Sequence, residues 1–314
     1  MSTSIVEPEE TAGAPAPPQS YVRTKSLVLV AFAAVYVIWG STYLAIRVGI
    51  ESFPPFILAG VRHLIAGVVL YAVFRRKTGI RPTVAHWWTA AVTGLMLLFV
   101  GNGGVSWAEQ TVPSGIAALL VATVSLWLVF FDWLRPGGIR PVARVATGLL
   151  MGFGGLALLV GPAHLGGAGR VEPRGAAVLV VASLAWAWGS LYSKHRDKPP
   201  APMLNAGMQS LAGGVALLIM ASLTGEFHGF HFGAVSQRSW LALVYLIVFG
   251  SGIGFSAYVF LLEKSTPARV GTYAFVNPVV ALFLGWLILA EPLSLRTLLA
   301  AGVILTAAGA ALPQ

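Results

Sequence analysis

A succession of ten apolar runs, each close to the length of one membrane-spanning helix, covers most of the 314-residue chain. About 20 apolar residues, each rising about 1.5 Å, are needed to cross the hydrocarbon core as a helix. Hydrophobic residues make up 57% and charged residues only 10% of the chain, and a soluble fold of this size cannot hide so much apolar surface. The pattern predicts an all-α polytopic membrane protein with ten transmembrane helices. The runs lie at 26–46, 54–74, 87–107, 114–131, 144–161, 174–193, 203–223, 240–261, 267–288 and 294–312.

The segment before the first run, residues 1–22, is rich in proline and glutamate. This composition predicts a disordered cytoplasmic tail. The segment lacks the basic start and apolar stretch of a signal peptide, so the first run, which follows Arg23 and Lys25, is expected to remain in the membrane. The chain has no cysteine, which excludes disulfides, thiol catalysis and cysteine metal sites.

The basic residues are distributed unevenly between the two sides of the predicted membrane. A net charge of +9 would suggest nucleic-acid binding in a soluble protein. Here the lysines and arginines form short clusters between apolar runs, which is typical of cytoplasmic loops, and we expect no nucleic-acid partner. The clusters favour the side that carries the N-terminus, as in Arg75-Arg76-Lys77. With an even number of helices, both termini are therefore predicted to be cytoplasmic.

An internal repeat divides the predicted helices into two equal sets. Glu109 and Pro113 match Glu263 and Pro267 at one offset of 154 residues (263 − 109). Each unit holds five helices, and because five is odd the second unit must enter the membrane from the opposite side. The two units are therefore predicted to be inverted copies related by an axis in the membrane plane. They span residues 26–161 and 174–312.

Several motifs resemble a known family of membrane proteins. The order Ser251-Gly252-Ile253-Gly254-Phe255-Ser256-Ala257-Tyr258, Asn277-Pro278-Val279-Val280-Ala281 and Glu291-Pro292 resembles an EamA domain of the drug/metabolite transporter superfamily. Trp39-Gly40-Ser41-Thr42-Tyr43 with Arg62 resembles the first such domain. The resemblance implies a bacterial inner-membrane transporter, often an exporter of amino acids, metabolites or toxic compounds, with ten helices around a central cavity. The first half departs from the pattern, with Arg135-Pro136 in place of Glu291-Pro292 and Val124 in place of Pro278.

Arg62 is the most informative side chain because it falls inside a predicted span. It lies eight residues after Pro54, about 12 Å along the helix, where an arginine costs about 2.5–3.5 kcal/mol on insertion scales. It should therefore face the bundle interior or water. Two interpretations remain: a binding or gating group for a substrate carboxylate, or a structural arginine bonded to backbone carbonyls. Its repeat partner is the neutral Gln209, so a single positive charge would suit a substrate with one anionic group or a zwitterion.

Aromatic residues share one face of the first predicted helix. Tyr36, Trp39 and Tyr43 recur at helical spacing, and Trp186 belongs to a similar pattern in the sixth helix. Such rings can line an amphipathic substrate path, or they can form interfacial belts and ordinary packing. Trp39 and Trp186 sit well inside their spans, which weakens the belt interpretation for both.

Polar residues in other helices complete the predicted site. Asn277 is polar at mid-membrane beside Pro278, which removes one backbone hydrogen bond. Such a kink can build a binding site or gate, or it can be satisfied by a neighbouring helix. The predicted substrate-binding residues are Arg62, Asn277, Tyr258, Trp39, Tyr43, Trp186, Tyr273, Asn102 and Gln209.

Titratable residues near the predicted membrane centre are few. Glu109 and Glu263 fall at helix ends, so a carboxylate relay through the membrane is not supported. His63 could titrate near neutral pH, but adjacent residues of a helix point in different directions, and its ring is predicted to face lipid or another helix. His228 and His231 in an outer loop are too few to predict a metal site, and no cofactor is predicted.

Three classes of function fit a polytopic membrane protein. A membrane-embedded enzyme would need clustered acids, histidines or metal ligands at one membrane face, and a passive channel would need charged rings or a polar filter. A secondary transporter needs a cavity at the interface between its repeats. We therefore predict a non-enzymatic secondary transporter that exports a small amino-acid-like or amphipathic metabolite across the inner membrane by alternating access. Its expected partners are that small molecule and the lipid bilayer; the sequence predicts no oligomeric state.

Overall fold

The computed structural model of the chain describes residues 19–138 and 172–310, with scattered residues between 143 and 154. All regular elements in these ranges are helical, as the apolar runs predict. Of the predicted fifth helix, 144–161, only scattered residues up to 154 are described, and residues 1–18 of the predicted tail lie outside the described residues. The long helices are α1 (Gln19–Gly49), α2 (Pro55–Thr78), α3 (Val84–Ala108), α4 (Ser114–Leu134), α5 (Pro173–His195), α6 (Pro202–Leu223), α7 (Gln237–Lys264), α8 (Tyr273–Leu289) and α9 (Leu295–Ala310).

Seven helices in the described part of the chain, α1 to α7, are long and apolar enough to cross a membrane. Helices α8 and α9 are shorter, with 17 and 16 residues. A short helical piece, Pro267–Val270, precedes α8, so the predicted run 267–288 is interrupted before Tyr273. Helix α1 begins at Gln19, inside the segment predicted as tail. The number ten therefore remains a prediction from hydropathy.

Proline and glycine mark the ends of several helices. Pro55, Pro173 and Pro202 occupy the first turn of α2, α5 and α6, where the missing N–H would have had no helical partner. Gly79 ends α2 with a φ of +67°, and its N–H donates to Arg75 O at 3.0 Å. A left-handed residue at this position is the usual helix stop. These residues confine the apolar stretches between them to single helices.

Helices α3 and α7 each contain a π-helical segment of nine residues, at Leu95–Gly103 and Leu246–Gly254. π-helical turns are rare and occur often at functional sites. Helix α4 is interrupted differently, by a turn at Ala122 and Thr123 between its two parts. The predicted apolar runs contain no signal for these changes of helical type.

The contacts between helix termini define two ends of the bundle. At the first, here the Glu109 end, Ser239 Oγ donates to Val48 O at 2.9 Å, which joins the start of α7 to the end of α1. At the opposite end, here the Lys194 end, Lys194 Nζ donates to Leu262 O at 2.7 Å and to Ser265 O at 2.6 Å. These bonds join the end of α5 to the end of α7.

The most extensive contact between two helices is that of α2 with α6. A Cβ atom added at Gly67 would lie 2.7 Å from Leu211 N, and one added at Gly207 would lie 2.7 Å from Tyr71 N. The two backbones therefore touch without intervening side chains. Small residues at such crossings are how membrane helices gain close packing.

Two glutamates close helix ends at the Glu109 end of the bundle. Glu226, after α6, accepts hydrogen bonds from Phe56 N at 3.2 Å and Ile57 N at 2.9 Å. Glu291, after α8, accepts from Ser114 N at 2.9 Å, Ser114 Oγ at 2.8 Å and Gly115 N at 3.3 Å. Each carboxylate satisfies amide groups that a helix N-terminus leaves unpaired, and its charge complements the helix dipole. Each thus ties a segment of the second half of the chain to a helix of the first.

Candidate functional site

A central cavity opens between seven helices, α1 to α5, α7 and α8. The volume of the cavity is about 60 Å³. Its wall is mixed in character, with aromatic rings, two amides, one guanidinium and several small residues. The lining side chains that carry polar groups or rings are Trp39, Thr42, Tyr43, Arg62, His63, Asn102, Trp186, Ser251, Phe255, Tyr273 and Asn277.

Arg62 supplies the positive charge of the cavity wall. It is 3% exposed, and its Nη2 donates to Oδ1 of Asn102, a residue of the π-helical segment of α3. Its Nε has no hydrogen-bond partner among the described residues. A guanidinium is planar and presents donors that match a carboxylate. Arg62 is therefore held by Asn102 through Nη2, while its Nε–H can still donate a hydrogen bond to a ligand.

Four aromatic rings form a cluster beside this charge. The centroid of the Trp39 ring lies 5.4 Å from that of Trp186, 5.0 Å from that of Tyr258 and 5.3 Å from that of Tyr273. Trp186 Nε1 donates to Tyr258 OH at 3.0 Å, and Tyr258 OH lies 2.6 Å from Ser190 Oγ. Trp39 Nε1 donates to Gly250 O at 3.3 Å. The rings therefore present a rigid surface that can hold apolar or cationic groups.

Asn277 both lines the cavity and ties α8 to α1. With its amide oriented to satisfy its neighbours, Nδ2 donates to Tyr36 O at 3.1 Å and to Tyr273 O at 3.2 Å. Pro278 follows directly, within α8. The amide is thus bonded to a neighbouring helix, as the interpretation of Asn277 as a structural residue requires. The residue also borders the cavity, as its interpretation as part of a binding site requires.

The structure brings most of the predicted binding residues together. Tyr258 lies behind the wall, fully buried against the rings of Trp39 and Trp186. Gln209 lies away from the wall, on α6, where its Nε2 donates to Ser193 Oγ at 3.3 Å. Those that line the cavity are Trp39, Tyr43, Arg62, Asn102, Trp186, Tyr273 and Asn277.

His63 faces another helix, which is one of the two orientations that the sequence predicts for its ring. Its ring does not face lipid; it is 2% exposed and lines the cavity beside Arg62. The ring centroid lies 6.4 Å from that of Phe255 on α7. Arg62 and His63, although adjacent in α2, both reach the cavity because Arg62 points toward α3 and His63 points toward α7.

Glu109 is the residue that sequence reasoning undervalued. Its position at the end of α3 suggests an exposed or interfacial group, yet it is 0% exposed. Its carboxylate interacts electrostatically with Arg47 and Arg62, and Arg47 Nη1 donates to its backbone carbonyl. The absence of acidic residues from the middle of the predicted spans was the signal in the sequence that could have directed attention to it.

Comparisons with known proteins agree with this architecture. The EamA-like transporter family matches the chain twice, at residues 26–161 and 173–312. The chain is 42% identical over 278 residues to a protein of Escherichia coli named "Uncharacterized inner membrane transporter YedA", with 88% of each chain covered. It is 25% identical to another E. coli protein, named "Probable amino-acid metabolite efflux pump", over 87% of this chain and 90% of the relative.

A solved structure supports the fold. A crystal structure aligns with 91% of this chain and 97% of its own chain, with a TM-score of 0.65 and 22% sequence identity. Identity at this level bears on the fold alone. The family match covers both halves of the chain, and the similarity to the YedA protein extends over nearly its whole length. The chain is a membrane protein that belongs to the EamA-like transporter family.

Proposed function

We propose that the protein is a secondary transporter that exports a small amino-acid-like or amphipathic metabolite by alternating access at the central cavity. The observation that carries this proposal is the pairing of one buried guanidinium, with a donor to spare, and a cluster of aromatic rings in the same cavity. A zwitterion could place its carboxylate at Arg62 and its ammonium or apolar side chain against the rings. The name of the E. coli efflux pump agrees with an amino-acid-like cargo.

The proposal includes ten helices in two inverted halves, 26–161 and 174–312. Corresponding helices run in opposite directions: α2 starts at the Glu109 end of the bundle, whereas its counterpart α6 starts at the Lys194 end. The helix contacts follow the same symmetry. Helix α1 packs against α7, and the corresponding pair α5 and α3 also packs together. The remaining pairs, α2 with α6 and α4 with α8, each join one helix to its counterpart in the other half. The matching π-helical segments of α3 and α7 support the same relation. A cavity at this interface is where alternating access operates in transporters with inverted repeats.

Location and orientation form part of the proposal. In this proposal the Lys194 end, both termini and the tail are cytoplasmic and the Glu109 end lies outside, as the distribution of basic clusters favours. The printed name of the YedA relative agrees with the inner membrane of a bacterium.

Flux through proteoliposomes tests the function. The purified chain is reconstituted, and vesicles are loaded with a panel of labelled amino acids, aromatic amines and small carboxylates, with and without a pH gradient. The proposal requires saturable efflux of at least one compound and competition by its unlabelled form. Flux that rises linearly with concentration would indicate a channel, and chemical conversion of a compound would indicate an enzyme; either result would refute the proposal.

Trp39 offers a test of the aromatic surface. Trp39→Ala removes a ring that contacts three others, so the apparent affinity for the transported compound should fall about tenfold, from the loss of about 1.4 kcal/mol of packing and stacking. Concentration dependence of efflux measures it. Trp88→Ala is the matched control, because Trp88 is 67% exposed on α3 and outside the cavity. Equal affinities for the two variants would refute the binding role of the rings.

A further inference from the structure

Glu109 is a buried carboxyl group without a partner. It is 0% exposed, and neither Oε1 nor Oε2 accepts a hydrogen bond from any described residue. Two other glutamates at this end behave differently, since Glu226 and Glu291 each accept two or more hydrogen bonds from helix N-termini. The cost of burial at Glu109 is therefore not offset by bonds to its side chain.

The charged and titratable groups around Glu109 come from three directions. Helix α1 contributes Arg47 and Tyr43, and helix α2 contributes Arg62. The segment after α8 contributes Glu291. Arg47 donates to the backbone carbonyl of Glu109, and within the described ranges no arginine, lysine or histidine forms an ion pair with its carboxylate.

The start of α5 brings one more carboxylate near the turn that follows Glu109. The Cβ position of Gly175 lies 2.6 Å from Val112 Cγ2 and 3.6 Å from Glu172 Oε2. Glu172 is itself occupied, since its Oε2 accepts from Gly175 N at 2.7 Å. It therefore caps the start of α5 and offers Glu109 no donor.

An ionised carboxylate in this position would be unstable. Removal of a charge from water costs several kcal/mol unless a partner of opposite charge is close and well oriented. Glu109 lies one residue beyond the span Val84–Ala108. Burial, and next the charge of Glu291, raise the pKa of Glu109 well above its usual range, against the opposing effect of Arg47 and Arg62. The protonated form of Glu109 is therefore favoured over a wider range of pH than that of an exposed glutamate.

We propose that Glu109 is a proton-binding site that controls the binding of anionic groups at Arg62. With Glu109 protonated, the charge of Arg62 is uncompensated and available to a ligand carboxylate in the cavity. With Glu109 ionised, its negative charge offsets that of Arg62 and repels the ligand. The proton and the carboxylate therefore bind cooperatively, and the coupling is reciprocal. This step rests on the proposed function, because it takes Arg62 as the group that binds substrate.

The direction of the pH effect follows from the burial of Glu109. The protein holds this proton to a higher pH than an exposed glutamate would. Affinity for a carboxylate is therefore full at low pH and falls as the pH rises through the Glu109 pKa. We expect a fall of about tenfold, within the range usual for coupling between two sites.

Infrared spectroscopy of the full chain in lipid tests the proton site without any substrate. A band from a protonated carboxyl group should be present at low pH, titrate away as the pH rises, and be missing from Glu109→Gln. Glu51→Gln, which removes a carboxylate that is part of an exposed pair with Arg238, should retain it. Arg47→Gln keeps Glu109 but removes a nearby positive charge, so the band should titrate at a higher pH. A band that is unaffected by both Glu109→Gln and Arg47→Gln would overturn the proposal.

Binding of L-phenylalanine tests the coupling, because its carboxylate and ring match Arg62 and the aromatic cluster. The wild-type dissociation constant should rise about tenfold between low and high pH. In Glu109→Gln it should stay at the low-pH value. His63→Gln should keep the pH dependence, which would exclude the histidine of the cavity wall as its source. Equal pH dependence in wild type and Glu109→Gln would overturn the proposal. A Glu109 band that titrates, with no binding of L-phenylalanine at any pH, would overturn the coupling and count against the proposed function, while proton binding by Glu109 would stand.

Discussion

Replacement of Arg62 by glutamine should reduce saturable efflux of carboxylate compounds from proteoliposomes by about 10- to 100-fold. Hydrogen bonds to a charged group contribute about 1.5–3 kcal/mol each, and about 1.4 kcal/mol corresponds to a factor of ten. Glutamine keeps an amide that can bond to Asn102 but loses the charge and the planar fork that match a carboxylate. The effect should appear mainly in the concentration dependence of efflux, and compounds without a carboxylate should be affected far less.

Two further variants make the Arg62 result specific. Arg238→Gln also removes one positive charge, but Arg238 is more than half exposed in its side chain, at the Glu109 end, and its nearest acidic group, Glu51 Oε1, is 3.9 Å away. It should transport normally. Arg62→Lys keeps the charge without the bidentate geometry and should give an intermediate rate. Wild-type efflux by well-folded Arg62→Gln would refute the binding role of the cavity arginine.

Replacement of Gly67 by leucine should strongly destabilise the bundle. The Cβ position of Gly67 is already 2.7 Å from Leu211 N, and that of Gly214, across the same crossing, is 2.7 Å from Leu64 N. A leucine side chain must therefore push α2 away from α6, or distort both helices. Overpacking of a tight core costs about 1–3 kcal/mol and sometimes more, and this crossing is the largest in the molecule. The yield of monodisperse protein in detergent should fall several-fold, and its thermal unfolding should begin at a lower temperature.

Gly302→Leu is the matched control for Gly67→Leu. Among the described residues, no atom outside the helix itself lies within 4 Å of the Cβ position of Gly302 in α9, so the same substitution there meets none of the described neighbours. This variant should purify and unfold as the wild type does. If Gly67→Leu also matched the wild type in yield and unfolding temperature, the close contact of α2 with α6 would be refuted.

Much of the architecture is encoded locally and could be predicted. Apolar runs, proline at first turns and glycine after α2 place most helices within a few residues, because these signals act through short-range backbone chemistry. Arg62 could be assigned to the interior because a lipid-facing arginine is so unfavourable. The helical spacing of Trp39 and Tyr43 placed both on one face of α1, and both line the cavity.

Other features depend on tertiary contacts that no local pattern reports. Glu109 sits at the end of its helix, and only the packing of α1, α2 and the segment around Glu291 removes it from water. Gln209 matches Arg62 in the repeat, yet it is turned toward Ser193 because α6 lies behind α2 rather than against the cavity. The sequence could not decide whether His63 faces lipid or another helix, because helical direction alone cannot say how many neighbours surround a helix.

A carrier with one cavity that is exposed alternately to each side exchanges substrate across the membrane. Counterflow measures this exchange. Proteoliposomes are preloaded with a high concentration of the best unlabelled compound from the panel and diluted into a trace of the same compound in labelled form, without ATP or ion gradients. We expect label to accumulate transiently above its equilibrium level in wild-type vesicles, and we expect this overshoot to be largely lost with Arg62→Gln. Label that approaches equilibrium from below, with no overshoot at any loading concentration, would contradict this expectation.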